Sequence, residues 1–309
     1  MGHLLSLPMR NKGIFLLISG ILSFPAGCNR SGPPVQDEAE YQASIETWRL
    51  ERLERLKAEK GWLNLAGLFW LEEGENRFGS DPSNDIIFPD KASDFCGTLI
   101  LKEGVVTLHA AQGSGIQDAG KPVTTLELRD DHTRNTTILR QGDLAWNVIR
   151  RGEQFGIRLR DYKHPRIEKL DSIPSYPAQK DYVVEARLVP YDEPRIMKVA
   201  TPVEGYMEEY TCPGELHFRL HGNKLTLLPF ISGKQYFLVF ADKTTGLETY
   251  GAGRFMYASR SRKGRVILDF NKAYNPPCVF TPYATCPMPP MENYLPIPIE
   301  AGEKAIHLD

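Results

Sequence analysis

The spacing of apolar and polar positions changes period once along this chain. In EAEYQASIETWRLERLERLKAEKG, residues 38–61, Tyr41, Ile45, Trp48 and Leu56 recur near one face, with Leu53 beside them. Charges fill the remainder and Gly61 closes the run, which predicts an amphipathic helix with a packing stripe. From Trp62 the period shortens. GTLILKEGVVTLHA reads as a hairpin about Glu103-Gly104, and KPVTTLELRDD and TTILRQGDLAWNVIRRGEQFGIRLRD continue as short β-prone runs parted by Gly and Asp turns. Turn signals every 8–12 residues predict a sandwich or barrel.

Prolines punctuate the middle of the chain before a strand at YVVEARLV. ELHFRLHGNKLTLLPF then predicts a hairpin around His221, Gly222, Asn223 and Lys224, with Leu216, Phe218 and Leu220 facing a core. Residues 234–271 predict three more strands joined by tight turns. There is no fixed-period repeat, no phosphate-binding loop and no helical run suited to parallel βαβ units. The expected class is mainly β: an N-terminal helix, a β-sandwich over 62–165, and an antiparallel β-meander over 166–309 packed against it.

The 309 residues carry 37 basic and 39 acidic side chains. That balance offers no broad field for nucleic acid. The first 28 residues differ from the rest. Arg10 and Lys12 precede the uncharged GIFLLISGILSF, and PAGC ends at Cys28. This is the layout of a secretory leader. Small residues before a cysteine resemble the lipoprotein cleavage box, although Pro25 stands where an aliphatic residue is usual. The expectation is an extracytoplasmic protein, lipidated at Cys28 and facing the periplasm, whose sole membrane attachment is that lipid. Residues 29–61 supply a polar tether and the helix. Outside the cytoplasm, Cys96, Cys212, Cys278 and Cys286 allow two disulfides in three pairings. Cys278 and Cys286 are the leading pair.

Candidate chemistry clusters late in the chain. If ETYGAGRF were a strand, Glu248, Tyr250, Ala252 and Arg254 would share one face and two glycines the other. A carboxylate, a phenol and a guanidinium on one face suit acid–base work or anion recognition. A cross-strand salt bridge is the plainer alternative. Asp269, Asn271, Tyr274 and Asn275 follow at a strand end, where sites are often built and where Asn and Asp also cap turns. His217 and His221 would lie on one polar strand face with Arg219 between them, which disfavours a metal. No metal or cofactor is expected.

Two resemblances extend the reading. RFGSDPSNDIIFP, with GVVTLHA, GKPV and LRQGDLAW after it, resembles a forkhead-associated domain over about 90 residues. The resemblance implies a sandwich. It does not imply phosphothreonine binding, because Ser80 follows Gly79 where that family has arginine, and no histidine follows Ser93 at the required spacing. A phosphopeptide needs paired donors and positive charge. GWLNLAGLFWLEEGENRFGSDPSNDI, ETYGAGRF and LDFNKAYNPPCVFTPYATCPMPPMENYL together resemble a bacterial extracytoplasmic family known only as a domain of unknown function.

Two functions follow as expectations. One is a lipid-anchored module that binds an unidentified small molecule or envelope component. The other is an extracytoplasmic enzyme, such as a hydrolase, using Glu248, Arg254, Asp269 and Tyr274 beneath a flap made by the Cys278–Cys286 segment. Convergence of those four side chains separates the two.

Overall fold

The computed structural model describes residues 37–260 and 263–306. Cys28, the leader and most of the tether lie outside them. The fold is mainly β with one long N-terminal helix, as the periodicity predicts. Helix α1 spans Glu38–Lys57, and its buried positions are Tyr41, Ile45, Arg52 and Leu56. The apolar stripe therefore includes an arginine.

Eleven strands follow: β1 (Leu65–Trp70), β2 (Gly74–Gly79), β3 (Ile86–Ile87), β4 (Gly97–Lys102), β5 (Val105–Ala110), β6 (Gln117–Asp118), β7 (Lys121–Pro122), β8 (Thr125–Leu128), β9 (Leu139–Gln141), β10 (Leu144–Arg151) and β11 (Gln154–Asp161). They make two sheets, in the orders β1-β11-β10-β9-β6-β7 and β3-β2-β4-β5-β8. The β4–β5 turn is Glu103-Gly104, with φ of 50° and 78°. Positive φ at both positions gives a two-residue turn the twist that strand pairing favours. Side chains from both sheets meet in one core. Trp146 of β10 lies 5.9 Å from Phe78 of β2 and 5.3 Å from Phe88, both edge-on. Each such pair adds about 0.5–1.5 kcal/mol beyond simple burial.

The second half has seven strands: β12 (Val183–Ala200), β13 (Met207–Leu220), β14 (Asn223–Leu227), β15 (Phe230–Ser232), β16 (Gln235–Phe240), β17 (Arg254–Ser259) and β18 (Arg265–Asp269). One sheet runs β14-β13-β12-β18 and the other β15-β16-β17. Strand β18 thus leaves the meander to pair with β12. Leu216, Phe218 and Leu220 are buried against Leu238, Phe240 and Met256, so the two sheets pack face to face. The β13–β14 turn is His221-Gly222, again with both φ positive. His221 therefore lies off the strand, 4.8 Å from the Tyr182 ring. His217 contacts Glu215 at 2.8 Å. The two histidines do not share a strand face, contrary to the alternation argument.

One expected strand is a loop. Residues 241–253 connect β16 to β17, and ETYGAG lies inside that connection. A Cβ at Gly253, where φ is 80°, would stand 2.5 Å from the Phe240 carbonyl oxygen. The glycine admits another backbone, but in a turn. Beyond β18 the Pro-rich chain makes short 3-10 turns and no strand. Phe255 and Tyr274 exchange backbone hydrogen bonds of 2.8 Å, which pairs the open edge of β17 at that one position near its start. Exposed edges invite pairing with other chains, and this bridge blocks it there.

Candidate functional site

Strand alternation sends Phe237, Phe255 and Tyr257 to the face of the β15-β16-β17 sheet opposite its main core. On that face lies a cleft of about 1100 Å³. Helix α1 supplies Trp48 and Arg52 to it. Trp62 comes from the link after the helix, Arg151 and Arg158 from the β10–β11 hairpin, and Tyr210 from β13. Asp269, Tyr274, Thr285 and Cys286 come from the C-terminal segment. Aromatic rings from several elements line the cleft. Tyr257 packs 5.1 Å from Phe237 and stacks 6.3 Å from Tyr274. Tyr257 is still 44% exposed.

The charge around this aromatic floor is mostly positive. Arg52, Arg55, Arg151, Arg158, Arg260, Arg265 and Lys272 line the cleft, against Glu208 and Asp269. Most of the cations are engaged. Arg52 donates from Nε to Glu303 at 3.3 Å and from its terminal nitrogen to the Asn275 carbonyl at 2.9 Å, with its guanidinium 4.6 Å above the Tyr274 ring. Arg151 pairs with Asp131 at 2.9 Å and reaches Thr285 Oγ1 at 3.4 Å. Arg265 and Lys272 meet Glu185 and Asp269.

Arg158 differs. It is 8% exposed, and its buried Nε has no hydrogen-bond partner. Its guanidinium lies 5.8 Å from the Trp62 ring centroid and faces no carboxylate in contact. Burial pushes its pKa down to about 10, the positive charge of Arg151 adds to this, and Asp131 opposes it. Arg158 is therefore charged at neutral pH and largely desolvated, with its Nε unsatisfied and no carboxylate paired with it. Such a group is costly. An incoming anion would supply the missing charge-assisted hydrogen bonds.

The six candidate residues do not assemble into one site. Arg254 is fully buried. It donates to Asp242 at 2.8 Å and to the carbonyls of Ala301, Ile299 and Glu303, so it fastens the C-terminal segment. Glu248 is exposed and pairs with Lys304 at 3.1 Å. Asn271 is buried between Tyr41 and the Gln179 backbone. Asp269 accepts from the Tyr41 hydroxyl at 2.9 Å and caps the backbone amide of Asn271. Asp269 and Tyr274 line the cleft, whereas Glu248, Arg254 and Asn271 do not. Tyr250 stands with Cys278 instead. Burial first, and Cys278 second, push its hydroxyl up to about 12.

All four described cysteines are free thiols, so the expected Cys278–Cys286 bridge is not formed in this structure. The two are neighbours nonetheless. The Cys278 amide donates to Cys286 Sγ at 3.2 Å. No cluster of three or more His, Cys, Asp or Glu side chains suited to a metal occurs among the described residues.

The cleft residues that the sequence left unremarked are arginines. Arg52 falls four residues after Trp48 and four before Leu56, so the helical period alone would have placed it on the buried face. Arg158 sits in the run GIRLRD, which holds a second arginine two residues on. Nothing local separates that buried position from an exposed one.

Residues 168–304 match the family described as Protein of unknown function (DUF1684). The solution structure of the uncharacterized protein from gene locus rrnAC0354 of Haloarcula marismortui is 30% identical. The match covers 44% of this chain and 78% of that one, at a TM-score of 0.38. The FHA domain of FhaA, complexed with the intracellular domain of Rv3910, is 19% identical over 30% of this chain and 97% of its own, at a TM-score of 0.21. A structure from work on phosphothreonine-dependent FHA domain interactions is also 19% identical over 30% of this chain. It is covered over 92% of its length, at the same TM-score. Similarity this slight assigns no fold, which rests on the strand pairings above. No curated protein matches the chain.

Proposed function

We propose that this chain, with its DUF1684 segment, is a binding module of the cell envelope whose cleft takes a small anion with an apolar or aromatic body. Arg158 carries the reading. An arginine 8% exposed, its buried Nε without a hydrogen-bond partner and no carboxylate paired with it, stands in the wall of a large cleft. Natural proteins rarely leave a buried charge unpaired unless it serves a ligand. The half-exposed Tyr257 and the Phe237 and Tyr274 rings offer stacking surface to the rest of the molecule. The leader and Cys28 support an extracytoplasmic address with a lipid anchor. The forkhead-associated-like pattern supports a scaffold role for the first half.

The hydrolase alternative draws no support from the geometry, because Arg254 and Glu248 stand outside the cleft. Calorimetric titration of the protein with aromatic carboxylates, aliphatic carboxylates and inorganic phosphate tests the binding reading. At least one anion should bind, and Arg158→Met should abolish its heat of binding. An anion that binds the variant as tightly as wild type would remove Arg158 from the site and the proposal with it.

A further inference from the structure

Cys278 and Cys286 are nucleophilic groups that anion binding leaves unused. The Cys278 amide contact of 3.2 Å sets the two side chains side by side, packed in one cluster, and Tyr250 acts on the Cys278 thiol. Cys286 lines the cleft, and its neighbour Thr285 accepts from Arg151. Arg158 lines the same cleft as Cys286. The other two described cysteines, Cys96 and Cys212, are both fully buried and neither lines the cleft, whereas Cys286, though buried, does line it and Cys278 is half-buried.

Adjacent thiols share a proton. When one ionises, its sulfur accepts the other's S–H, so the first proton leaves more readily and the second less. The neighbouring Cys286 thiol lowers Cys278, while Cys278 and burial raise Cys286. Thiolate is the species that exchanges with disulfides. A cationic wall beside it favours anionic reagents.

We propose that Cys278 and Cys286 form a redox-reactive dithiol at the cleft wall, and that its co-reactants are small disulfides bearing carboxylates, steered by Arg158. The steering rests on the anion-site reading above; the dithiol does not. In the step, one cysteine thiolate attacks a sulfur of the small disulfide RSSR. Its S–S bond breaks, and the leaving RS⁻ takes a proton from water. The second cysteine, its proton lost to solvent, attacks the resulting mixed disulfide and releases a second RSH. Two cysteine thiols are oxidised to one disulfide, and RSSR is reduced to two thiols.

The reduced full-length protein can be treated with oxidised glutathione, a net anionic disulfide, or cystamine, a cationic one, and followed by peptide mass. Wild type should form an intramolecular Cys278–Cys286 bond. Cys278→Ser and Cys286→Ser should each stop at a mixed disulfide on the remaining cysteine. Relative to its rate with free cysteine, oxidised glutathione should outpace cystamine several-fold, and Arg158→Met should erase that preference. No bridge in wild type, or modification confined to Cys96 or Cys212, would overturn the dithiol. A bridge formed with no charge preference would overturn the co-reactant class. Failure of the anion site shows separately, as no anion bound by calorimetry.

Discussion

Arg254 and Asp242 form an ion pair of 2.8 Å with both side chains fully buried. Asp242 also accepts from the Thr244 hydroxyl at 2.7 Å and from the Ile299 amide at 3.1 Å. Removing one partner of such a pair strands the other charge in the interior. Arg254→Ala should therefore cost about 3–5 kcal/mol, read as a lower urea midpoint with little change in slope. A variant within 1 kcal/mol of wild type would show that Arg254 is not a structural clamp.

The Arg254 pairing marks where sequence reasoning stops. The helix, the Glu103-Gly104 and His221-Gly222 hairpins and the buried face of Leu216, Phe218 and Leu220 were all legible, because each depends on residues close in sequence. ETYGAGRF was misread because alternation was counted through glycines that serve a turn. Of the cleft, Asp269 and Tyr274 were singled out as candidates, but the cleft itself was not legible. Its walls join Arg52, Arg158, Tyr257 and Cys286, which only tertiary packing brings together. Asp242, the partner of Arg254, lies twelve residues before it across a loop.

Glu303 gives a pH signature. It is 2% exposed, and burial raises its carboxyl even though Arg52 and the Asn275 amide pull the other way. Below the ordinary carboxylate range, folded and unfolded states are both protonated. As pH rises the unfolded state ionises first, so stability contributed by this group is lost on the way up. Unfolding midpoints at pH 4.5 and 7 should move in favour of Glu303→Gln at the higher pH. A shift in the opposite sense would mean that Arg52 dominates over burial.

Gly253 allows a sharper steric test. Its φ of 80° is in the left-handed region, and a Cβ there would meet Phe240 O and Pro289 Cγ, each at 2.5 Å. Gly253→Ala should destabilise by more than about 1 kcal/mol, since positive φ alone disfavours alanine. Gly251→Ala, where the nearest atom lies 4.0 Å away, should be close to neutral. Equal effects in thermal melts would contradict the close approach.

Tyr257 separates binding from folding. It is 44% exposed, so Tyr257→Leu should change stability by less than about 1 kcal/mol. Loss of ring stacking should weaken an aromatic anion roughly 2- to 13-fold, from about 0.5–1.5 kcal/mol, and leave an aliphatic carboxylate unaffected. Calorimetry with the two ligand types reads the difference.

The most direct measurement is the melting temperature of ligand-free Arg158→Met beside wild type, with and without an anion that wild type binds. A guanidinium held at about 10 rather than 12.5 carries a burial cost on the order of 3 kcal/mol. That cost is present at neutral pH and is relieved only as pH climbs past about 10. An apolar side chain of similar length escapes it. The variant should melt higher than wild type without ligand and show no shift when the anion is added. A variant that melts lower, and is still stabilised by the anion as wild type is, would contradict the account.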